Sequence, residues 1–133
     1  MSMYVIDTHP LIYYHSHTQR HLSDLARAVF EQAENGEALI LIPAPALWEV
    51  SMLERAGHIK LNQPFGEWLR DLLRKTCYDC VSLDADIIAE ARTYSFNNDI
   101  FDAAIVATAR LRDLPLITRD IAITDSGLVE IYW

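Results

Sequence analysis

Met3-Tyr4-Val5-Ile6-Asp7-Thr8-His9-Pro10 opens the chain and sets how the rest is read. Four apolar residues run without interruption into an acid. This is the pattern of a short strand covered on both faces. Pro10 then suits the first turn of a helix running through Tyr14. The same alternation of strand and helix continues downstream. Ser23 can cap a helix over residues 24–35 that Gly36 stops, with Leu25, Ala28, Val29 and Ala33 at helical spacing. Residues 38–42 form a second continuous apolar run. Further helices are expected over 44–56, 65–76, 85–94 and 99–112, and further strands over 81–83, 114–118 and 128–132. Residues 15–21 read as polar loop. The crossovers are long enough to be helical. They imply an α/β three-layer sandwich: a central parallel five-stranded sheet with helices on both faces.

Composition narrows the class. The 133 residues fit one domain, spanning 1–133. Hydrophobic residues make up 51%, with only 4 Gly and 5 Pro, which excludes a disordered or collagen-like chain. The net charge of −8 argues against holding nucleic acid by bulk basic charge. The longest apolar stretch, 38–48, is broken by Pro43 and Pro45, so no membrane helix is expected. Asp7 interrupts the only candidate for a signal peptide. Two cysteines make no disulfide framework, and a reducing cytoplasm is the simplest compartment.

Four carboxylates stand where solubility does not explain them. Asp7 directly follows the first strand. Asp120 lies two residues past the strand ending at Thr118. In an open parallel sheet such positions line the ligand crevice. Glu49 shares a helix stripe with Met52 and Leu53, and Asp102 one with Ile105 and Val106. Each also has an ordinary explanation: Asp7 could cap the next helix, Asp120 could start a turn, Asp102 could favour a helix dipole, and Asp99 could be an N-cap. Four converging carboxylates would either repel and raise their pKa values or gather a hard divalent ion. A metal-bound water beside a polarised phosphoryl oxygen is equipment for cutting a phosphodiester.

At these residues the sequence resembles PIN-domain ribonucleases of the VapC-type toxin branch. The resemblance is carried by Tyr4-Val-Ile-Asp-Thr-His9, Leu47-Trp-Glu-Val50, Asp99-Ile-Phe-Asp-Ala-Ala-Ile-Val-Ala-Thr-Ala109 and Leu116-Ile-Thr-Arg-Asp120, in family order and spacing. It implies Mg²⁺- or Mn²⁺-dependent endoribonuclease activity, with Asp7, Glu49, Asp102 and Asp120 as the acidic quartet. Asp99 matches an additional acid, Thr118 a small hydroxyl residue that steadies the site, and Thr8 could do similar work. The implied hydrolysis uses a metal-activated water and leaves a 5′-phosphate and a 3′-hydroxyl. The resemblance also implies a cognate antitoxin and a homodimer. Ile100 and Ala103 depart from the pattern, standing where many relatives have Pro and Arg. Loss of that Arg bears on substrate positioning. The competing reading is a PIN-like module that binds RNA or protein without turnover.

Other constellations are weaker. His9, His15, His17 and His21 could take up Zn²⁺ or Ni²⁺ adventitiously, although a polar loop explains them more simply. Cys77 and Cys80 read as buried or half-buried thiols closing a helix. Trp48, Trp68, Tyr13 and Tyr14 read as core or half-buried residues. Arg119, next to Asp120, is the best candidate for a substrate phosphate contact.

Overall fold

The structure, a computed structural model, describes all 133 residues. Five strands form one parallel sheet: β1 (Ser2–Ile6), β2 (Ala38–Pro43), β3 (Tyr78–Val81), β4 (Leu116–Ile117) and β5 (Ile131–Tyr132), in the order β3-β2-β1-β4-β5. Seven helices connect them: α1 (Thr8–Tyr14), α2 (Asp24–Glu34), α3 (Ala44–Arg55), α4 (Phe65–Arg74), α5 (Ala85–Ala91), α6 (Ile100–Leu111) and α7 (Ile121–Ser126). The α/β sandwich expected from the sequence is the fold observed. No helix is long and apolar enough to cross a membrane.

Burial explains the apolar runs. Val5, Ile6, Ile40, Ile42, Leu116 and Ile117 have no exposed surface, because helices cover the sheet on both sides. Each parallel crossover is helical: α1 and α2 join β1 to β2, α3 and α4 join β2 to β3, α5 and α6 join β3 to β4, and α7 joins β4 to β5. In α6, Ala104 through Ala109 are all buried, which is why this helix is so apolar.

The topology fixes the site. From β1 the chain moves to β2 on one side and later returns to β4 on the other. Such a reversal leaves a crevice beyond the carboxyl ends of the two strands. Register brings Val5 beside Leu116 and Ile6 beside Ile117, and the Asp7 N–H donates to the Ile117 carbonyl at 3.0 Å. Asp7 and the residues after Ile117 therefore meet at the crevice floor.

Several elements differ from expectation. β3 lies at 78–81, not 81–83. It is an edge strand buried only at its two ends: Tyr78 and Val81, on opposite faces, are buried, while Asp79 and Cys80 between them are exposed. Cys80 is thus an exposed strand residue, and only Cys77 is buried. α1 begins at Thr8 because Asp7 caps it, which moves Pro10 to its third position. α5 stops at Ala91, short of Tyr94, and β4 and β5 are two residues each. α7 was not expected; Asp120 caps it and Gly127 ends it at φ +67°. A single 3-10 turn, Gln19–His21, interrupts the polar loop. Trp48 is 60% exposed, whereas Trp68 is core.

Candidate active site at the carboxyl ends of β1 and β4

Asp7 anchors the site. The strand carries its side chain into the protein, leaving it 5% exposed. Its Oδ1 accepts the Thr8 N–H at 2.7 Å and its Oδ2 accepts the Thr118 hydroxyl at 2.7 Å. An ionised carboxylate offers about four acceptor positions, so each oxygen retains capacity. Burial raises the Asp7 pKa above the usual carboxylate range. The two hydrogen bonds and the nearby His9 oppose that rise, and the Glu49 charge adds to it.

Thr118 ties two acids together. Its hydroxyl donates to Asp7 and accepts the Asp120 N–H at 3.1 Å. Asp120, half-buried, caps α7 by accepting the Ile123 N–H on Oδ1 at 2.9 Å. Thr8 supports Asp7 through its backbone alone. Its own hydroxyl is buried without a hydrogen-bond partner, so the expected hydroxyl role is not seen.

Asp102 enters from the first turn of α6. Its pKa is pushed up to about 7, first by burial and then by the charges of Asp7, Asp99 and Asp120, against a lowering hydrogen bond from Asn97. The Asn97 amide donates to Asp102 Oδ2 at 2.9 Å. Asn97 was not among the expected site residues. Its only sequence signal is the polar run Asn97-Asn98-Asp99 before the helix. Asp99 is exposed and caps α6, with Oδ1 accepting the Phe101 and Asp102 N–H groups at 2.8 and 3.2 Å. The ordinary capping roles of Asp7, Asp99 and Asp120 are therefore real. Asp99 and Asp120 each spend one oxygen on it. Glu49 lies half-buried on α3, which packs against α1 and α6, and makes no hydrogen bond of its own.

The charge balance is the telling feature. The four ion pairs of the fold are Arg27–Asp24, Arg74–Asp71, Lys75–Glu34 and Arg110–Glu90. None involves Asp7, Glu49, Asp99, Asp102 or Asp120. Five carboxylates thus share one electrostatic field with no cation paired to them, an arrangement that costs stability unless a positive charge is supplied. No three acidic, histidine or cysteine side chains converge tightly enough to ligate one ion directly. Mg²⁺ fits such a set nonetheless, since it takes one or two carboxylates and keeps several waters.

An open cleft runs beside Asp7 and Asp120 and is also lined by His9, Tyr13, Thr118 and Arg119. Arg119 Nη2 donates to the Tyr13 hydroxyl at 2.9 Å. The remaining histidines scatter. His15 sits among Tyr14, Phe30, Trp68 and Tyr78, and no histidine cluster forms a metal-binding group. A second, apolar groove lies between α3, α5 and α6, with Trp48 edge-on to Phe101 at 5.6 Å and Ile88 and Ile100 exposed.

The family model of the PIN domain matches residues 4–125, nearly the whole chain. The chain belongs to the PIN domain family. Comparison with curated proteins finds no significant match. Solved structures share the PIN fold at low identity. VapBC2 from Rickettsia felis, bound to a DNA fragment from its promoter, superposes with a TM-score of 0.65 at 15% identity, covering 98% of this chain and 99% of the other. FitAcB from Neisseria gonorrhoeae gives 0.63 at 18%, covering 98% and 97%. VapBC-5 of Mycobacterium tuberculosis, a member of the VapBC family of toxin–antitoxin systems, gives 0.60 at 18%, covering 98% of each chain.

Proposed function

We propose that this PIN protein, acting as one domain over residues 1–133, is a divalent-metal-dependent endoribonuclease and the toxin of a type II toxin–antitoxin pair. The observation that carries the reading is the set of five carboxylates without an ion-pair partner, Asp7 and Asp120 at the β1/β4 strand ends and Glu49, Asp99 and Asp102 from α3 and the start of α6. PIN domains are generally nucleases, which supports hydrolysis of a phosphodiester. The likeness to VapBC and FitAcB structures supports an antitoxin partner. The exposed apolar groove supports further protein contact, a homodimer in this reading.

Asp7, Asp102 and Asp120 would hold Mg²⁺ or Mn²⁺, partly through the ion's own waters, with Glu49 direct or through water and Asp99 offering its free oxygen. The bound ion supplies a water of lowered pKa and offsets charge on the phosphoryl and leaving oxygens. Thr118 keeps Asp7 and Asp120 in fixed relation while this happens. Asn97 holds one Asp102 oxygen and leaves the other free to reach the ion. Asp102, its pKa pushed up to about 7, would hold the ion as the carboxylate, so metal affinity would rise with pH through that range. Arg119 stands at the cleft to take an RNA phosphate.

The test is an RNA cleavage assay with Mn²⁺, an EDTA control and end-mapping of products. Expected are metal-dependent cuts bearing a 5′-phosphate, lost in Asp7→Asn and Asp102→Asn. Undiminished cleavage by either variant, with the fold intact by circular dichroism, sinks the assignment. Metal-independent RNA binding without cleavage favours the binding-module reading.

A further inference from the structure

Arg119 occupies an unusual place. It stands between Thr118 and Asp120, at the cleft lined by the Asp7 and Asp120 carboxylates, yet it pairs with neither. An unrestrained guanidinium beside unpaired carboxylates would fold onto one as a bidentate fork. Here it is held elsewhere. Its Nη2 donates to the Tyr13 hydroxyl at 2.9 Å and its Cζ stands 5.0 Å from the centre of the Tyr13 ring. Tyr13 is itself set by its neighbours: the His21 ring lies 5.2 Å away and the His9 ring 6.1 Å. The contact joins α1 to the β4–α7 turn across 106 residues of sequence.

We propose that Tyr13 is a positioning residue that parks Arg119 at the lip of the acidic cleft, off the carboxylates, to receive a phosphate of the RNA next to the scissile bond. The inference rests on the ribonuclease reading and deepens it. A guanidinium has five N–H donors, and the Tyr13 contact uses one. The others remain for the non-bridging oxygens of a phosphodiester, which the guanidinium fork matches. Both consequences matter to the site. An arginine folded onto Asp7 or Asp120 would compete with the divalent ion. Held on Tyr13, it adds a fixed positive charge to a protein of net charge −8 at the one place where RNA must approach.

The test measures cleavage of an RNA oligonucleotide by the full chain in Mn²⁺ across a salt series. Arg119→Ala is expected to raise KM about tenfold with kcat within about twofold, the pattern of a lost uniform binding contact. The slope of log KM against log salt should fall by about 0.7, the contribution of one single-strand phosphate. Tyr13→Phe keeps the ring and loses the hydroxyl, so KM should rise about threefold. Tyr13→Leu should match Arg119→Ala, and the double variant should be no worse than Arg119→Ala alone, since the two residues act as one unit. Additive effects, or a kcat loss at unchanged KM, overturn the proposal. Should Tyr13→Leu fail to fold, Tyr13→Phe carries the comparison with Arg119→Ala. Binding of the same RNA, labelled and read by fluorescence anisotropy in EDTA, makes the test independent of turnover. An unchanged salt slope there in Arg119→Ala overturns the phosphate contact, including the case in which Arg119 matters only to binding a protein partner. Wild-type protein that does not cut in Mn²⁺ sinks the ribonuclease reading, whereas a cutting wild type with unaltered KM in the variants sinks this inference alone.

Discussion

The acidic site and the aromatic nest around His15 are two places where burial overrides ordinary ionisation. In the acidic site, Asp102 is pushed up to about 7 and Asp7 is raised. In the nest, desolvation, helped by Lys75, pushes His15 down to about 4. The surroundings differ in kind. Asp7 and Asp102 receive hydrogen bonds from Thr8, Thr118 and Asn97, and like charges crowd them. His15 has an unpartnered Nε2 and rings on several sides: Tyr78 at 5.4 Å, Phe30 at 6.1 Å and Trp68 at 6.2 Å. The cleft is a set of oriented acceptors with no cation paired to them. The nest is packing that tolerates an imidazole. A shifted pKa therefore marks chemistry only where the neighbours are arranged to use it.

The largest expected effect separates the two regions by activity. Asp7→Asn should reduce Mn²⁺-dependent RNA cleavage well beyond the about 10–100-fold that changes outside the ligand sphere cost. His15→Phe should leave the rate within about twofold. Steady-state cleavage of one oligonucleotide by both variants makes the comparison. Equal losses would erase the distinction drawn between cleft and nest.

Stability against pH comes next. His15 titrates near 6.5 when unfolded and at about 4 when folded, so between these values the unfolded chain binds the extra proton. Stability from the nest is fully present above pH 6.5 and is lost as pH falls toward 4, by about 3 kcal/mol. Asp102 has the opposite sign. Its folded pKa is raised, so the folded state holds the extra proton from about pH 4 to 7 and gains stability as pH falls through that window. Urea melts of His15→Phe should lose the acid-side decline, and those of Asp102→Asn should steepen it. If both variants track the wild type, the two groups are not buried as described.

Metal should act on the cleft alone. At a hundredfold excess over its Kd, Mn²⁺ should stabilise the wild type by about 2.7 kcal/mol. Thermal melts with and without Mn²⁺ should show that gain undiminished in His15→Phe and sharply reduced in Asp102→Asn. A gain that persists in Asp102→Asn would place the ion elsewhere.

How much of this was legible beforehand follows from range. Asp7 and Asp120 are flagged locally, because an acid just past an apolar run is conspicuous and β1 ends on buried Tyr4-Val5-Ile6 and β4 is Leu116-Ile117. The parallel topology then brings Asp7 and Asp120 together. β3 lies earlier than its apolar residues suggest because an edge strand is only partly covered, and exposed Asp79-Cys80 breaks both the apolar run and the alternation that would reveal it. α7 was missed because six residues carry too little periodicity, even with Asp120 and Gly127 bounding it. Asn97 joins the site only through Asp102, on the next helix, and Tyr13 through a tertiary contact. The bond from Arg119 to Tyr13 spans 106 residues and leaves no local trace. His15 looked like one of a polar cluster until packing put rings around it.

The smallest expected effect tests whether the two regions differ in how they handle hydroxyls. Thr118→Val keeps shape and removes both the donor to Asp7 and the acceptor for the Asp120 N–H. It leaves a buried carboxylate and a backbone N–H short of a partner, which should cost about 1–3 kcal/mol. Because the Thr118 bond lowers the Asp7 pKa, its loss should also move the acid limb of the cleavage profile to higher pH. Tyr78→Phe removes a buried hydroxyl that has no partner to lose. Its stability should stay within about 0.5 kcal/mol of wild type or rise slightly, with the pH profile unmoved. The two substitutions delete one buried oxygen each. If they cost the same, hydrogen bonding in the cleft contributes nothing beyond burial, and its carboxylates are held by packing, as His15 is.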